Sequence, residues 1–422
     1  MLSLLRGVLD RLESRFRLLT IGATLVPTMS ALLFQLVTFT ITARGLGVEQ
    51  FGIYTGLLAL VGVFVELTGL GSADLLVRGV SRDVSSFARY YGNLLLSVLI
   101  TLPLAVLASL LIASLLLHIQ LQLWPMALAL LAEIMVSRVS ASTELVMVAH
   151  GHTVRAGWVR LATVLARLFM AVLYFVLFHQ TQLVGWIDVV LLQSVLMSLF
   201  YLLLSTRLYG APHFCLLLRE LHSGVMFCLN QSSRAMQTNL DRMILARFTD
   251  ATTLGSYGAA SRVLQLGLFP MQVLTRIYYP HFFREGSKGF VSAFRYGVSV
   301  APTMFVAGVV SALVVSVCAL AVPDLLGKGF QDSVHSIFIL SASLPLIALQ
   351  YPAADVLTGG GRQGLRTVIF TASTFGFGFV LVGGVLVFGF SGLLYAFVFA
   401  HFLLACVLWG AAFLCCKHSR VS

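Results

Sequence analysis

Apolar runs of roughly 20–30 residues, separated by short polar stretches, repeat from one end of the chain to the other. About 20 apolar residues in a helix cross the hydrocarbon core of a bilayer. The pattern predicts spans over 18–43, 51–77, 90–117, 123–149, 158–178, 184–206, 223–248, 253–281, 296–322, 333–358, 365–388 and 391–416. An outer-membrane barrel would show shorter, alternating segments instead. Residues 1–17 follow another rule: Leu2, Leu5, Leu9, Leu12 and Phe16 share one helical face, with Arg6, Arg11 and Arg15 off it. That reads as an amphipathic helix on the membrane surface, not a cleavable signal.

The longest connection, Arg207–Ser223, divides the chain nearly in half, and its Phe214–Glu220 core reads as an interfacial helix. The expected organisation is a six-helix bundle over 1–206, a cytoplasmic interfacial linker over 207–222 and a second six-helix bundle over 223–422. The halves resemble each other. Ala43-Arg44 leads to Gly52-Ile53-Tyr54, and Ala246-Arg247 leads to Gly255-Ser256-Tyr257, at an offset of 203 residues. Six spans per half point both repeats the same way, related by an axis along the membrane normal. Two packed bundles around a central cavity is the transporter reading; a purely structural duplication is the alternative.

Composition supports a polytopic membrane protein: 59% hydrophobic, 10% charged, mean hydropathy +0.97. Soluble domains carry about 25% charged residues. The net charge of +11 does not point to nucleic acid, because the basic residues lie between spans and no basic surface domain holds them. Eighteen Lys and Arg fall at the termini and even-numbered connections, against three on the other side. The positive-inside rule therefore places both termini of this multi-pass chain in the cytoplasm.

Polar residues inside spans are costly and carry the chemical information. On the seventh span Asn230, Arg234, Gln237 and Asp241 recur at helical spacing; on the eighth, Arg262, Gln265, Phe269, Gln272 and Arg276 do so. The fourth carries Glu133, Ser137, Ser140 and Glu144, the fifth Arg160, Arg167 and Tyr174, and Glu66 stands alone in the second. Such faces either pair with each other, as Glu133 with Arg167 or Asp241 with Arg262, or line water. Within the spans there are six Arg and no Lys. Guanidinium forks match phosphate oxygens bidentately. An anionic substrate would thus meet Arg167, Arg234, Arg262 and Arg276 with Asn230, Gln237, Gln265 and Gln272. Arg138 and Arg242 lie off the stripes and read as structural. Glu66, Glu133, Glu144 and Asp241 are the candidates for coupling to H+ or Na+, and Asp355 reads as a helix-end or gating acid. No catalytic, nucleotide, cofactor or metal motif is present. The six cysteines show no paired spacing.

Ala43-Arg-Gly-Leu-Gly-Val-Glu-Gln-Phe-Gly-Ile-Tyr54, Glu66-Leu-Thr-Gly-Leu70 and Arg78 resemble the N-terminal signature of Wzx-type O-antigen flippases. So do Leu240–Arg247, Leu254–Arg262 and Tyr279-Pro280. These flippases belong to the multidrug/oligosaccharidyl-lipid/polysaccharide exporter superfamily. The resemblance implies an all-α polytopic protein of twelve transmembrane helices, in two bundles with pseudo-two-fold symmetry around a central cationic cavity. It also implies a non-enzymatic flippase for undecaprenyl-pyrophosphate-linked oligosaccharide, in contact with membrane lipids and the polysaccharide polymerase machinery. The last third of the chain departs from the pattern. A multidrug–cation antiporter on the same scaffold is the alternative.

Overall fold

A computed structural model describes residues 2–116 and 121–421, with side chains for 26–115, 121–229 and 231–419. The amphipathic reading of 1–17 and the side chain of Asn230 lie outside those described side chains. Among the described residues the chain is α-helical and contains no strand. Helix α1 (Leu2–Leu67) holds the first predicted span and most of the second, separated by Gly47 at φ 73°. After α2 (Ser72–Val80) come α3 (Phe87–Leu116), α4 (Leu123–Ala149), α5 (Thr153–Ala171) and α6 (Leu183–Tyr209). The second half runs through α7 (Leu221–Phe248), α8 (Ala251–Gly267), α9 (Phe269–Gly286), α10 (Phe290–Ala319), α11 (Val322–Leu326), α12 (Asp332–Ser341) and α13 (Ser343–Gly359). The last element, α14 (Gln363–Val421), contains the final two predicted spans, parted by Gly389 at φ 63°.

Three predicted spans are broken. The second stops at Leu67 and resumes at Ser72, because Gly69, Leu70 and Gly71 all take positive φ. That costs little for glycine and more for Leu70. The amide of Gly69 donates to Thr101 Oγ1 at 2.7 Å, which satisfies one group freed by the break. The eighth turns at Leu268, ahead of Pro270 at the start of α9. The tenth turns at Ala342, between α12 and α13. Eight helical stretches among the described residues are long and apolar enough to cross a membrane. Helices α7, α8 and α9 are not among them, since they carry the polar stripes.

Contacts divide the chain into two compact units, one of Met1–Leu46, Leu60–Leu116 and Gln120–Ala235, the other mainly of Gly47–Ala59 and Met236–Ser422. In the first, α4 packs on α2, α3, α5 and α6. Phe87, Tyr91 and Leu94 of α3 close one cluster with Leu76, Val80 and Val146, while Met147, Val159 and Tyr201 close another. In the second, α13 packs on α9, α10 and α14 around Phe282, Val356, Leu357, Leu404 and Leu408.

The second unit also explains the repeated hairpin motif. Gly52 and Gly255, equivalent positions of the two repeats, bring their backbones together: a Cβ on Gly52 would lie 1.7 Å from the carbonyl oxygen of Ala251. A Cβ on Gly255 would lie 2.0 Å from that of Val48, and one on Gly258 would strike Thr55. Small residues let helix backbones approach where bilayer lipids provide no hydrophobic drive.

The connection Gly210–Leu217 is irregular, with a short 3₁₀ turn at Leu218–Glu220, where an interfacial helix is expected from the sequence. Contacts to α3 override the local preference. His213 N–H donates to the carbonyl of Ala88 at 2.8 Å, and Leu217 N–H donates to Asn93 Oδ1 at 2.9 Å. A helix would withdraw both amides into its own ladder.

Candidate functional site

In the first unit, the Glu66–Leu70 motif is the end of α1 and the break that follows. Glu66 is half-buried. Its carboxyl and that of Asp74 act electrostatically on Arg138, which is 4% exposed, and Arg138 Nε and Nη2 find no hydrogen-bond partner. A Cβ on Gly69 would come within 3.1 Å of that Nη2. Arg138, expected to be structural from its position off the stripe, therefore packs beneath the broken helix. The first-half stripes meet across α4 and α5. Arg167 Nη1 and Nη2 donate to Glu133 Oε1 and Oε2 at 2.6 and 3.0 Å, a bidentate pair whose side chains are 18% and 8% exposed. Two turns back along α5, Arg160 donates to Glu144 from Nη2 at 2.6 Å. Ser140, Thr163 and Tyr201 link hydroxyls between the two pairs. Of the two readings open for Glu133 and Arg167, the mutual ion pair is the one this geometry holds.

The second-half stripes behave differently. Asp241 is buried and accepts from the Tyr257 hydroxyl at 2.5 Å, not from Arg262; its second oxygen is buried without a partner. Its neighbour Arg242, off the stripe, is also buried. Arg262 is half-buried, and its Nη1 lies 3.5 Å from Gln265 Oε1. Arg234, Gln265, Gln272 and Arg276 are exposed, and Gln237 is half-exposed. The apolar partners of these helices turn inward instead: Leu264, Met271 and Phe282 are buried. Gln265, Gln272 and Arg276 are thus exposed on either side of the turn at Leu268, while Ser256 and Ser261 of α8 are buried. A guanidinium on the surface of a membrane helix cannot look at hydrocarbon; it needs water, an acid or an anionic ligand.

A family model described as polysaccharide biosynthesis protein matches residues 20–284. The chain belongs to that family. Every motif behind the flippase resemblance falls inside the matched stretch, and the last third, with no recognisable pattern, falls outside it. No curated protein matches the sequence. Among solved structures, an inward-facing multidrug resistance MATE family transporter of the MOP superfamily aligns at 14% identity, covering 93% of this chain and 96% of its own, with TM-score 0.70. A MATE protein in complex with MaD3S aligns at 16% identity over 95% and 96%, with TM-score 0.60. The Vibrio cholerae MATE transporter VcmN in its bent form aligns at 16% over 95% and 98%, with TM-score 0.56. At such identities the likeness is one of fold: this polysaccharide biosynthesis family member is a multi-pass membrane protein with the two-lobed helical architecture of the MATE transporters.

Some contacts leave no trace in the stripes. Tyr257 belongs to the repeated Gly-Ser-Tyr motif, but nothing in its spacing names Asp241 as its partner. Asp355 is 3% exposed and lies 3.6 Å from Arg366 across the Gly359-Gly360-Gly361 turn, and Arg366 donates to Thr358 Oγ1 at 2.6 Å. Gln350 donates to the backbone carbonyl of His401 at 2.9 Å. Among the described residues, no group of three or more His, Cys, Asp or Glu side chains is placed to hold a metal ion.

Proposed function

We propose that the chain is a flippase that moves an undecaprenyl-pyrophosphate-linked oligosaccharide, an O-antigen or similar repeat unit, across the bacterial inner membrane by alternating access. The observation that carries the proposal is the set of arginines and glutamines left on the surfaces of α7, α8 and α9: Arg234, Arg262, Arg276, Gln237, Gln265 and Gln272. Guanidinium forks hold phosphate oxygens in pairs, and amides can read sugar hydroxyls. The family match supports a role in polysaccharide assembly. Arg167 and Glu133 serve in this reading as a structural pair. Glu66 and Asp241 remain the acids proposed to couple transport to H+ or Na+, and Glu144 is held by Arg160. Both termini lie in the cytoplasm by the charge distribution. A polysaccharide polymerase is the partner that would receive the product.

The test is Arg234→Ala. With the protein still in the membrane, it should abolish surface polysaccharide and leave the lipid-linked repeat on the cytoplasmic leaflet. Arg234→Lys should restore transport only in part, because a point charge lacks the fork. The fold of the multidrug MATE transporters favours a second reading, a drug–cation antiporter. If deletion of the gene raises drug sensitivity and leaves surface polysaccharide intact, the antiporter reading replaces the flippase.

A further inference from the structure

The strap Gly210–Glu220 has two unlike sides. Its inner side is fastened to the first unit. Besides the backbone bonds of His213 and Leu217, Glu220 accepts from Arg78 Nη2 at 2.6 Å and from the Tyr90 hydroxyl at 2.7 Å. A Cβ on Gly92 would lie 1.9 Å from the carbonyl oxygen of His213, so α3 and the strap lie backbone on backbone. Leu217 is buried at 8%, while Phe214, Leu216 and Leu218 are exposed at 62%, 46% and 70%. Four arginines in and around the strap are exposed. Arg219 lies within it, Arg89 meets Cys215 through its backbone carbonyl, Arg207 sits in the last turn of α6 just before it, and Arg82 follows α2, whose Arg78 holds Glu220. The acids nearby are Glu220, already neutralised by Arg78, and Asp83, whose carboxylate accepts from Ser85 N–H and hydroxyl.

Depth follows from the backbone. Among the described residues, no protein acceptor faces the amides of Phe214, Cys215 and Leu216. Unsatisfied backbone of this kind is not tolerated in hydrocarbon. Three adjacent exposed large apolar side chains are equally out of place in bulk water. The headgroup layer satisfies both requirements.

We propose that this strap is an interfacial anchor that binds anionic phospholipid headgroups, with Phe214, Leu216 and Leu218 dipping towards the acyl chains and Arg82, Arg89, Arg207 and Arg219 on the phosphates. Apolar insertion and a basic cluster are the two signals that together hold a segment to a membrane. The anchor ties the first unit to one leaflet whatever the transported substrate is, so it stands independently of the flippase reading.

The experiment uses the full chain in nanodiscs of phosphatidylcholine mixed with phosphatidylglycerol, and native mass spectrometry counts the lipids retained. The unaltered protein should retain phosphatidylglycerol preferentially. Arg89→Gln combined with Arg219→Gln should weaken that binding about thirtyfold, from the usual electrostatic worth of two arginines at an anionic surface. Unchanged phosphatidylglycerol selectivity in this variant overturns the proposal. A second reading comes from Phe214→Trp, as the fluorescence difference from the parent protein. The introduced indole should be quenched by lipids brominated near the top of their chains and not by aqueous iodide. Quenching by iodide and not by brominated lipid places the strap in water, quenching by neither places it beneath a protein partner, and either result also overturns the proposal.

Discussion

Replacing Glu133 or Arg167 distinguishes a structural ion pair from a coupling site. Two charge-assisted bonds of 2.6 and 3.0 Å join side chains that are 8% and 18% exposed. Arg167→Met leaves the carboxylate without its bidentate partner and largely out of water. Breaking a buried pair from one side typically costs about 3–5 kcal/mol, or roughly two to three and a half powers of ten in the folding equilibrium. Glu133→Gln should cost less, since the amide still accepts one bond from the guanidinium. Glu133→Leu with Arg167→Met should recover most of the loss, because an apolar pair of similar volume is often neutral beside a buried ion pair. Denaturant unfolding in detergent micelles, run as a double-mutant cycle on the four proteins, gives the coupling energy directly. The reasoning is refuted if each single variant stays within about 1 kcal/mol of the parent while Glu133→Gln alone abolishes gradient-driven transport. That outcome would make Glu133 a coupling acid whose bond to Arg167 carries little stability.

Gly52→Val should prevent correct folding, since its Cβ would fall 1.7 Å from the Ala251 carbonyl oxygen; a monodisperse, heat-stable preparation would contradict the close approach of the two hairpins. Tyr257→Phe removes the hydroxyl that Asp241 accepts from and leaves the buried carboxyl unpartnered. It should cost about 1–3 kcal/mol in denaturant unfolding, and adding Asp241→Leu should restore most of this. Burial pulls the Glu220 carboxyl upward, but hydrogen bonds from Tyr90 and Arg78, with the Arg78 charge, outweigh it and hold the pKa below the usual 4.5. Its contribution to the strap is therefore fully present above pH 4.5 and lost as pH falls through the lower folded value. Hydrogen exchange of the strap amides should accelerate across that acid window in the parent, and Glu220→Gln should remove the acid step.

Local composition made several features legible. A span is a property of consecutive residues, because an apolar run of bilayer length has few alternatives to a membrane helix. The repeated Ala-Arg…Gly-x-Tyr hairpins were visible for a similar reason: a glycine required for backbone approach leaves its mark at each copy. The break at Gly69–Gly71 was less legible. Two glycines are present in the sequence, but so are many within continuous helices, such as Gly308 in α10 and Gly410 in α14. What separates them is φ, and φ is set by packing.

The amino-acid sequence by itself determined that this is an all-helical membrane chain with a duplicated hairpin and polar stripes on particular helices, because periodicity and hydropathy act over one or two turns. The tertiary structure alone decided which stripe residues satisfy each other. Glu133 and Arg167 are 34 positions apart and meet because α4 and α5 pack side by side. Asp241 and Tyr257 meet across the short turn between α7 and α8, and Arg234, Gln265 and Arg276 are exposed. The same holds for the strap, which its own sequence would have coiled into a helix. A charge in a stripe carries no record of its partner, since pairing depends on distance and burial between helices, and those are fixed only when the helices pack.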